Sequence, residues 1–286
     1  MEKYRLIRHE LERRGGFRFA AGPPARIEDL LRVHDAEYVN SFLAGTLSAA
    51  QIRRIGFPQV SQSIARTLSS AGATVAASRL ALSEGWAGVP AGGTHHAYRD
   101  FGSGFCVLND IAVAAQTLLD EGLVRKVAVI DLDVHQGDGT AAIFADSDFV
   151  YTFSAHGRHN FPFRKQRSDF DLEFENGTTD EEYLAQVAAQ LPRVFEFAPG
   201  LVFYQAGVDA LATDRLGKLS LSEEGLRRRD APVFESIRKA AVPCVVTLGG
   251  GYSDPIGCTV NAAVNTYRLA AQILRAINPT LSRPSK

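Results

Sequence analysis

The chain has 286 residues, 45% hydrophobic and 22% charged, which is enough apolar material for a full-sized core and too much for a disordered chain. Lys and Arg number 31 against 32 Asp and Glu, a formal net charge of −1, so no global positive field argues for nucleic-acid binding. Cys106, Cys244 and Cys258 show no CxxC spacing, which excludes a disulfide framework and a cysteine zinc site. Charges from the second residue onward read against a secretory signal. No apolar run reaches the ~18 residues of a membrane span. The expected setting is a reducing cytoplasm.

In chain order, the first hundred residues read as mostly helical. Tyr4, Ile7 and Leu11 recur at helical spacing, Asp35 stands where it would cap the helix AEYVNSFL, and the Ala/Leu-rich stretch 61–85 reads as a long buried helix. From Gly85 the pattern changes to short β-branched runs at 127–132, 149–154, 201–205 and 244–248, which suit buried strands. Helical segments at 111–121, 181–197, 223–240 and 260–277 separate or follow them, the second opened by a capping-box pattern of Thr178 and Glu181. Strand alternating with helix implies an α/β fold with a parallel sheet covered on both faces. A single domain over 1–286 is expected, with 278–286 as a polar tail that frays.

Ligands of such sheets bind beyond the strand C-termini, and four polar clusters follow strand-like runs. They are Gly92-Gly93-Thr94-His95-His96, then Asp131-Leu132-Asp133-Val134-His135-Gln136-Gly137-Asp138-Gly139, then Ala206-Gly207-Val208-Asp209, then Gly249-Gly250-Gly251-Tyr252. Asp131, Asp133 and His135 alternate, so in extended backbone they project to one side. A lone DxH reads equally well as polar loop residues. With Asp209 as a third donor it reads as a hydrolytic metal site with an open position for water and substrate. Adjacent histidines are seldom a core feature, because two buried imidazoles need two partners. Asp131 and Asp138 are spare carboxylates for that purpose. Tyr252, after a glycine-rich turn, offers a phenolic proton to a developing oxyanion, although that motif alone is weak. Cys106 reads as a small buried filler rather than a nucleophile.

The ordered set HisHis, GFC, DxDxHxGDG, GxD and GGGY resembles the zinc-dependent histone deacetylase family, over essentially the whole chain and most like the bacterial branch near class IV. The resemblance implies a three-layer α/β/α arginase/deacetylase fold with a mainly parallel sheet. It implies one zinc ion held by Asp133, His135 and Asp209, with His95 and His96 as the catalytic pair served by Asp131 and Asp138. His96 would take the proton of the attacking water and later give one to the leaving amine, while Tyr252 polarises the scissile carbonyl. Phe105, Phe161, Leu216, Gly104 and Gly250 would line the channel for an acyl-lysine stem. A structural potassium ion would sit at Asp131, Asp133, His135, Ser154 and Ala155. The implied substrate is an acylated lysine in a protein or a small acylated amine such as an acetylated polyamine.

Two departures and two rival readings accompany that resemblance. Family members usually carry a strand and loop ahead of the helix that KYRLIRHEL resembles, so the sheet is expected to be one strand short. Gln136 stands where some relatives have a second histidine. A two-manganese arginase-like hydrolase would need bridging carboxylates where Gly137 and Gly207 stand. A non-catalytic acyl-lysine binder would be expected to have lost a ligand, a histidine or the tyrosine, and none is lost.

Overall fold

Short apolar runs pair into one six-stranded sheet in the computed structural model of the chain, which describes residues 2–57 and 63–274. The strands are β1 (Trp86–Val89), β2 (Val127–Asp131), β3 (Val150–Gly157), β4 (Phe170–Phe174), β5 (Leu201–Gln205) and β6 (Cys244–Thr247). Their order is β1-β6-β5-β2-β3-β4, and every pairing is parallel. The helices are α1 (Glu2–Arg14), α2 (Ile27–Leu31), α3 (Ala36–Leu43), α4 (Ala49–Ile55), α5 (Ile64–Glu84), α6 (Asp110–Asp120), α7 (Asp138–Ile143), α8 (Asp180–Glu196), α9 (Glu223–Ala240) and α10 (Ile256–Leu274). Among the described residues no strand precedes β1, and no helix is long and apolar enough to cross a membrane.

The strands alternate between two cores, and that alternation makes the three layers. Ala128, Ile130, Val202 and Tyr204 face a core with Ile7, Leu11 and residues of α8, α9 and α10. Val127, Val129, Leu201 and Phe203 face the opposite core, built with α2, α3, α5 and α6. The chain moves from β2 outward to β3 and β4, then returns to place β5 on the other side of β2. That reversal makes the β2/β5 boundary the switch point, where the loops leaving the two strands diverge and open a crevice.

Most helical segments lie where periodicity placed them, with local corrections. The buried face of α1 is Lys3, Ile7 and Leu11, with Tyr4 only half-buried. Asp35 does occupy the N-cap of α3, but its side chain accepts no capping hydrogen bond. The Thr178/Glu181 capping box does not form: α8 begins one residue later than that box requires, with Thr179 at its N-cap and no side-chain cap. Asp180 instead accepts from the Ser222 backbone N–H and hydroxyl, tying the start of α8 to that of α9. Strands β1 and β4 and the short helix α7 are additions to the sequence reading. Residues 61–62 of the expected long helix, 275–277 of the last helix and the tail 278–286 lie outside the described residues.

His34, between α2 and α3, locks the α3 side of the molecule to the strand-end loops. Its Nδ1 lies 2.9 Å from the Tyr98 carbonyl and its Nε2 accepts the Asn109 N–H at 3.0 Å, so only the neutral ring satisfies both. Burial pushes its pKa down to about 4. The unfolded chain therefore takes up a proton near pH 6.5 that the folded one refuses, and stability falls as pH drops from there toward 4. Urea unfolding of the protein and of His34→Gln should show a stability gap that shrinks by about 2 kcal/mol from pH 7 to pH 5. A gap independent of pH would contradict this assignment.

Candidate active site

The loops that leave β2 and β5 on either side of the switch point bring Asp133, His135 and Asp209 together. His135 Nδ1 is 3.0 Å from Asp133 Oδ1 and 3.1 Å from Asp209 Oδ2, and one donor atom from each residue lies within 4.8 Å of the others. Backbone amides fix the carboxylates. Asp209 accepts the Val134 N–H at 2.8 Å, and Asp133 accepts those of His135 at 3.0 Å and Gly250 at 2.8 Å. Both carboxylates are fully buried. Burial, reinforced by the charge of Asp133, pushes Asp209 up to about 6. Burial acts upward on Asp133 too, but His95 and His135 outweigh it and hold its carboxyl well below the ordinary range. Burial pulls His135 down, yet its bonds to Asp133 and Asp209 raise it to about 10. Two oxygen donors and one nitrogen donor in a rigid, buried arrangement fit a divalent transition metal.

The histidine pair follows β1 in a loop held by the first turn of α6. Asp110 accepts from the Gly93 N–H and from the Thr94 N–H and hydroxyl, while the Asn109 side chain donates to Ala97 O at 3.2 Å and Thr140 Oγ1 at 3.0 Å. His95 Nδ1 is 2.6 Å from Asp131 Oδ2, and His96 Nδ1 is 2.6 Å from Asp138 Oδ1. Tyr98 donates to the other Asp138 oxygen at 2.8 Å. The two imidazoles lie 4.1 Å apart between centroids, yet their environments drive them in opposite directions. Burial lowers His95, but Asp131 and Asp133 lift it to about 9. Burial and the neighbouring His95 charge press His96 down to about 4, against the pull of Asp138.

His95, His96, Asp133, His135 and Asp209 form the floor of a cavity of about 420 Å³. Phe105, Phe161, Leu216, Gly104, Gly250 and Tyr252 all line it. Phe161 packs edge-on against His96 at 4.9 Å between centroids, and Phe57 supports Phe105 at 5.7 Å. Gly104 has φ +52 and a Cβ there would lie 2.6 Å from His96 Cδ2, so both conformation and space demand glycine. Phe105 itself has φ 64, an uncommon state for an aromatic residue, held by its N–H donating to Ile55 O at 2.8 Å. A side chain at Gly207 would run into the Asp133 carboxylate, and one at Gly137 into Asp131, so the bridging carboxylates of a two-metal site have no room. Asp131 and Ser154 are register partners on β2 and β3, which sets Ser154 and Ala155 beside the β2 end.

Three groups of this site were missed by motif reading. Lys3 of α1 is buried, donates to Gly249 O at 2.8 Å and sits 4.3 Å from the Tyr252 ring centroid. Burial pulls its ammonium below the ordinary lysine value against the pull of Asp209 and Asp133. Tyr4 lines the cavity beside it. Arg229 of α9, fully buried, donates to the carbonyls of Leu132 at 3.1 Å and Gly207 at 2.6 Å while pairing with Asp230 at 2.8 Å. It thereby clamps, from below, both loops that carry the metal-type donors.

A parallel sheet with paired histidine–carboxylate groups facing an Asp/His/Asp donor set at its switch point defines an arginase/deacetylase-like architecture. The chain belongs to the histone deacetylase family, whose domain matches residues 1–267. It is 46% identical over 225 residues to an uncharacterised protein of Picosynechococcus, spanning 78% of this chain and 75% of that one. It is 35% identical over 235 residues to Histone deacetylase 2 of Arabidopsis thaliana, 78% of this chain and 60% of that relative. The crystal structure of an HDAC homolog from Aquifex aeolicus superposes with a TM-score of 0.78 at 25% identity, covering 94% of this chain and 77% of that one. The chain spans 75% of the Picosynechococcus protein, but 48% of Histone deacetylase 2 of Oryza sativa and 34% of Type-1 histone deacetylase 1 of Dictyostelium discoideum.

The Lys3 contact carries a consequence for the glycine-rich turn. Lys3→Met keeps the alkyl stem and removes one charge-assisted hydrogen bond, worth roughly 1.5–3 kcal/mol. Urea unfolding should show Lys3→Met less stable than the parent by about that amount, with Lys3→Arg recovering most of it. Equal stability of Lys3→Met and the parent would remove Lys3 from what holds the glycine-rich turn.

Proposed function

We propose that this protein is a zinc-dependent deacylase that removes an acyl group, acetyl in the simplest case, from a lysine-type amine. One observation carries the reading. Asp133, His135 and Asp209 share a buried floor with two histidine–carboxylate pairs and Tyr252, beneath aromatic walls. Bound by those three donors, zinc would polarise the amide carbonyl and lower the pKa of a water molecule. His96, its Nδ1 turned to Asp138, presents Nε2 as the general base that accepts the proton of the attacking water. His95, paired with Asp131, keeps positive charge beside the reacting centre. Tyr252 donates its phenolic O–H to the oxygen that becomes negative as the water oxygen bonds to the carbonyl carbon. The C–N bond then breaks, His96 returns its proton to the amine nitrogen, and a carboxylic acid and free amine leave. Phe105 and Phe161 would flank an aliphatic stem on the way in.

A structural potassium ion at Asp131, Asp133, His135, Ser154 and Ala155 belongs to the same proposal, supported by the register of Asp131 with Ser154. A reducing cytoplasm is proposed as the setting, in keeping with the free, buried thiols of Cys106 and Cys244.

Zinc content and hydrolysis of an acetyl-lysine peptide, measured together with a hydroxamate control, test the reading. One zinc per chain with hydroxamate-sensitive turnover is expected. Asp209→Ala should lose the metal, Tyr252→Phe should keep it while kcat falls by about 10²–10³, and His96→Ala should keep it with a loss of about 10²–10⁴. Zinc retained in Asp209→Ala, or full turnover in His96→Ala, would contradict the assignment.

A further inference from the structure

We propose that the rim of this cavity selects an acyl-lysine carried in an acidic polypeptide segment and rejects acylated polyamines. The inference rests on the deacylase reading of the floor and concerns what surrounds it.

Three segments make the mouth. The end of α4 brings Arg54 and Gly56, the loop from β3 to β4 brings His159, Phe161 and Phe163, and the loop after β5 brings Leu216 and Lys218. Apolar side chains at the mouth are open to solvent: Phe163 and Leu216 of these segments are 86% and 45% exposed, and Phe105, from the loop before α6, 49%. Such a collar offers apolar contact area to residues on both sides of an inserted lysine.

The charges on the collar have one sign. Arg54 and Lys218 are exposed and have no carboxylate partner among the described residues. Arg54 stacks 4.5 Å from the Phe101 ring centroid, and Lys218 donates to the His159 carbonyl at 2.7 Å. Arg164, Lys165 and Arg167 of the β3–β4 loop do not line the cavity, and Lys165 is spent on the Asn160 and Pro162 carbonyls. The nearby acids are engaged or set aside. Asp214 is buried, its carboxylate accepting the N–H groups of Leu216, Gly217 and Tyr252. Glu175 pairs with Arg158 and His159, and Asp100, next to Phe101, is not among the cavity-lining residues. The lining carboxylates that remain, Asp133 and Asp209, are fully buried at the floor. A cationic polyamine would meet Arg54 and Lys218 before any acid, whereas Asp or Glu beside the acyl-lysine would find unpaired partners and be steered inward.

The test compares three substrates on the zinc-loaded protein: an acetyl-lysine peptide flanked by glutamates, the same peptide flanked by lysines, and N-acetylputrescine. A blocked acetyl-lysine amide without flanks runs alongside. At low ionic strength kcat/KM for the acidic peptide should exceed that for the basic one by about tenfold or more, and the ratio should shrink toward unity in ~0.5 M salt. N-acetylputrescine should be the poorest substrate. The double variant Arg54→Glu/Lys218→Glu should reverse the acidic-to-basic ratio, and a ratio taken within one variant cancels any loss of folded protein. Equal rates for the two peptides, a preference for the basic peptide or N-acetylputrescine, or a ratio untouched by charge reversal would overturn the rim assignment while the deacylase reading stands. Failure to cleave any of the four, the blocked amide included, would overturn the deacylase reading and the rim assignment with it.

Discussion

Two fully buried carboxylates, Asp133 and Asp209, share a single imidazole, His135, at the centre of this protein. Burying one charge is costly, and burying two like charges side by side is more so unless a cation or proton joins them. The surrounding structure is arranged to hold that unfavourable pair in place. Val134 and Gly250 supply backbone N–H donors, and Arg229 ties down the carbonyls of the loops on which the carboxylates ride. A divalent cation bound by the trio would relieve the repulsion, so the cost of burying these carboxylates is also what would draw a cation to them.

The sheet makes that convergence possible. Donors from β2 and β5 meet because the strand order reverses between them, and parallel register keeps the ends of β2 and β5 level. The histidine loop after β1 and the glycine turn after β6 arrive at the same edge, because β1 and β6 also end in register. Strands in register thus bring the histidine pair, the Asp133/His135/Asp209 trio and Tyr252 to one edge, while the rim is left to loops and to the end of α4. That division places the buried polar floor on the layers and the rim on exposed side chains of loops, the part of a fold that varies most readily.

The sequence was most readable where chemistry restricts residue choice. Metal-type donors and a base with its carboxylate admit few side chains, so DxDxHxGDG and HisHis stood out before any geometry was known. The central strands were readable because β-branched runs buried on both faces look like little else. β1 was not: Trp86-Ala87-Gly88-Val89 is short and contains a glycine, and pairing with β6 rather than local propensity makes it a strand. β4 is an edge strand with most of its side chains part-exposed. Lys3 occupies the position one turn before Ile7 on the buried face of α1, and a cation on an apolar face was the signal available. Arg229 gave no local signal, since nothing in α9 alone shows that its neighbours are carbonyls of distant loops. The Thr178/Glu181 pattern misled because Asp180 is drawn to Ser222, a tertiary contact that outweighs the local cap.

The central claim is that one metal ion occupies the Asp133/His135/Asp209 trio and that the rest of the floor is built around it. Anomalous diffraction at the zinc edge, from crystals of the zinc-loaded protein, tests this most directly. The account predicts one peak per chain, bonded to the Asp133 carboxylate, the His135 imidazole and the Asp209 carboxylate. A peak elsewhere, two peaks in the cavity, or none at stoichiometric zinc would contradict it.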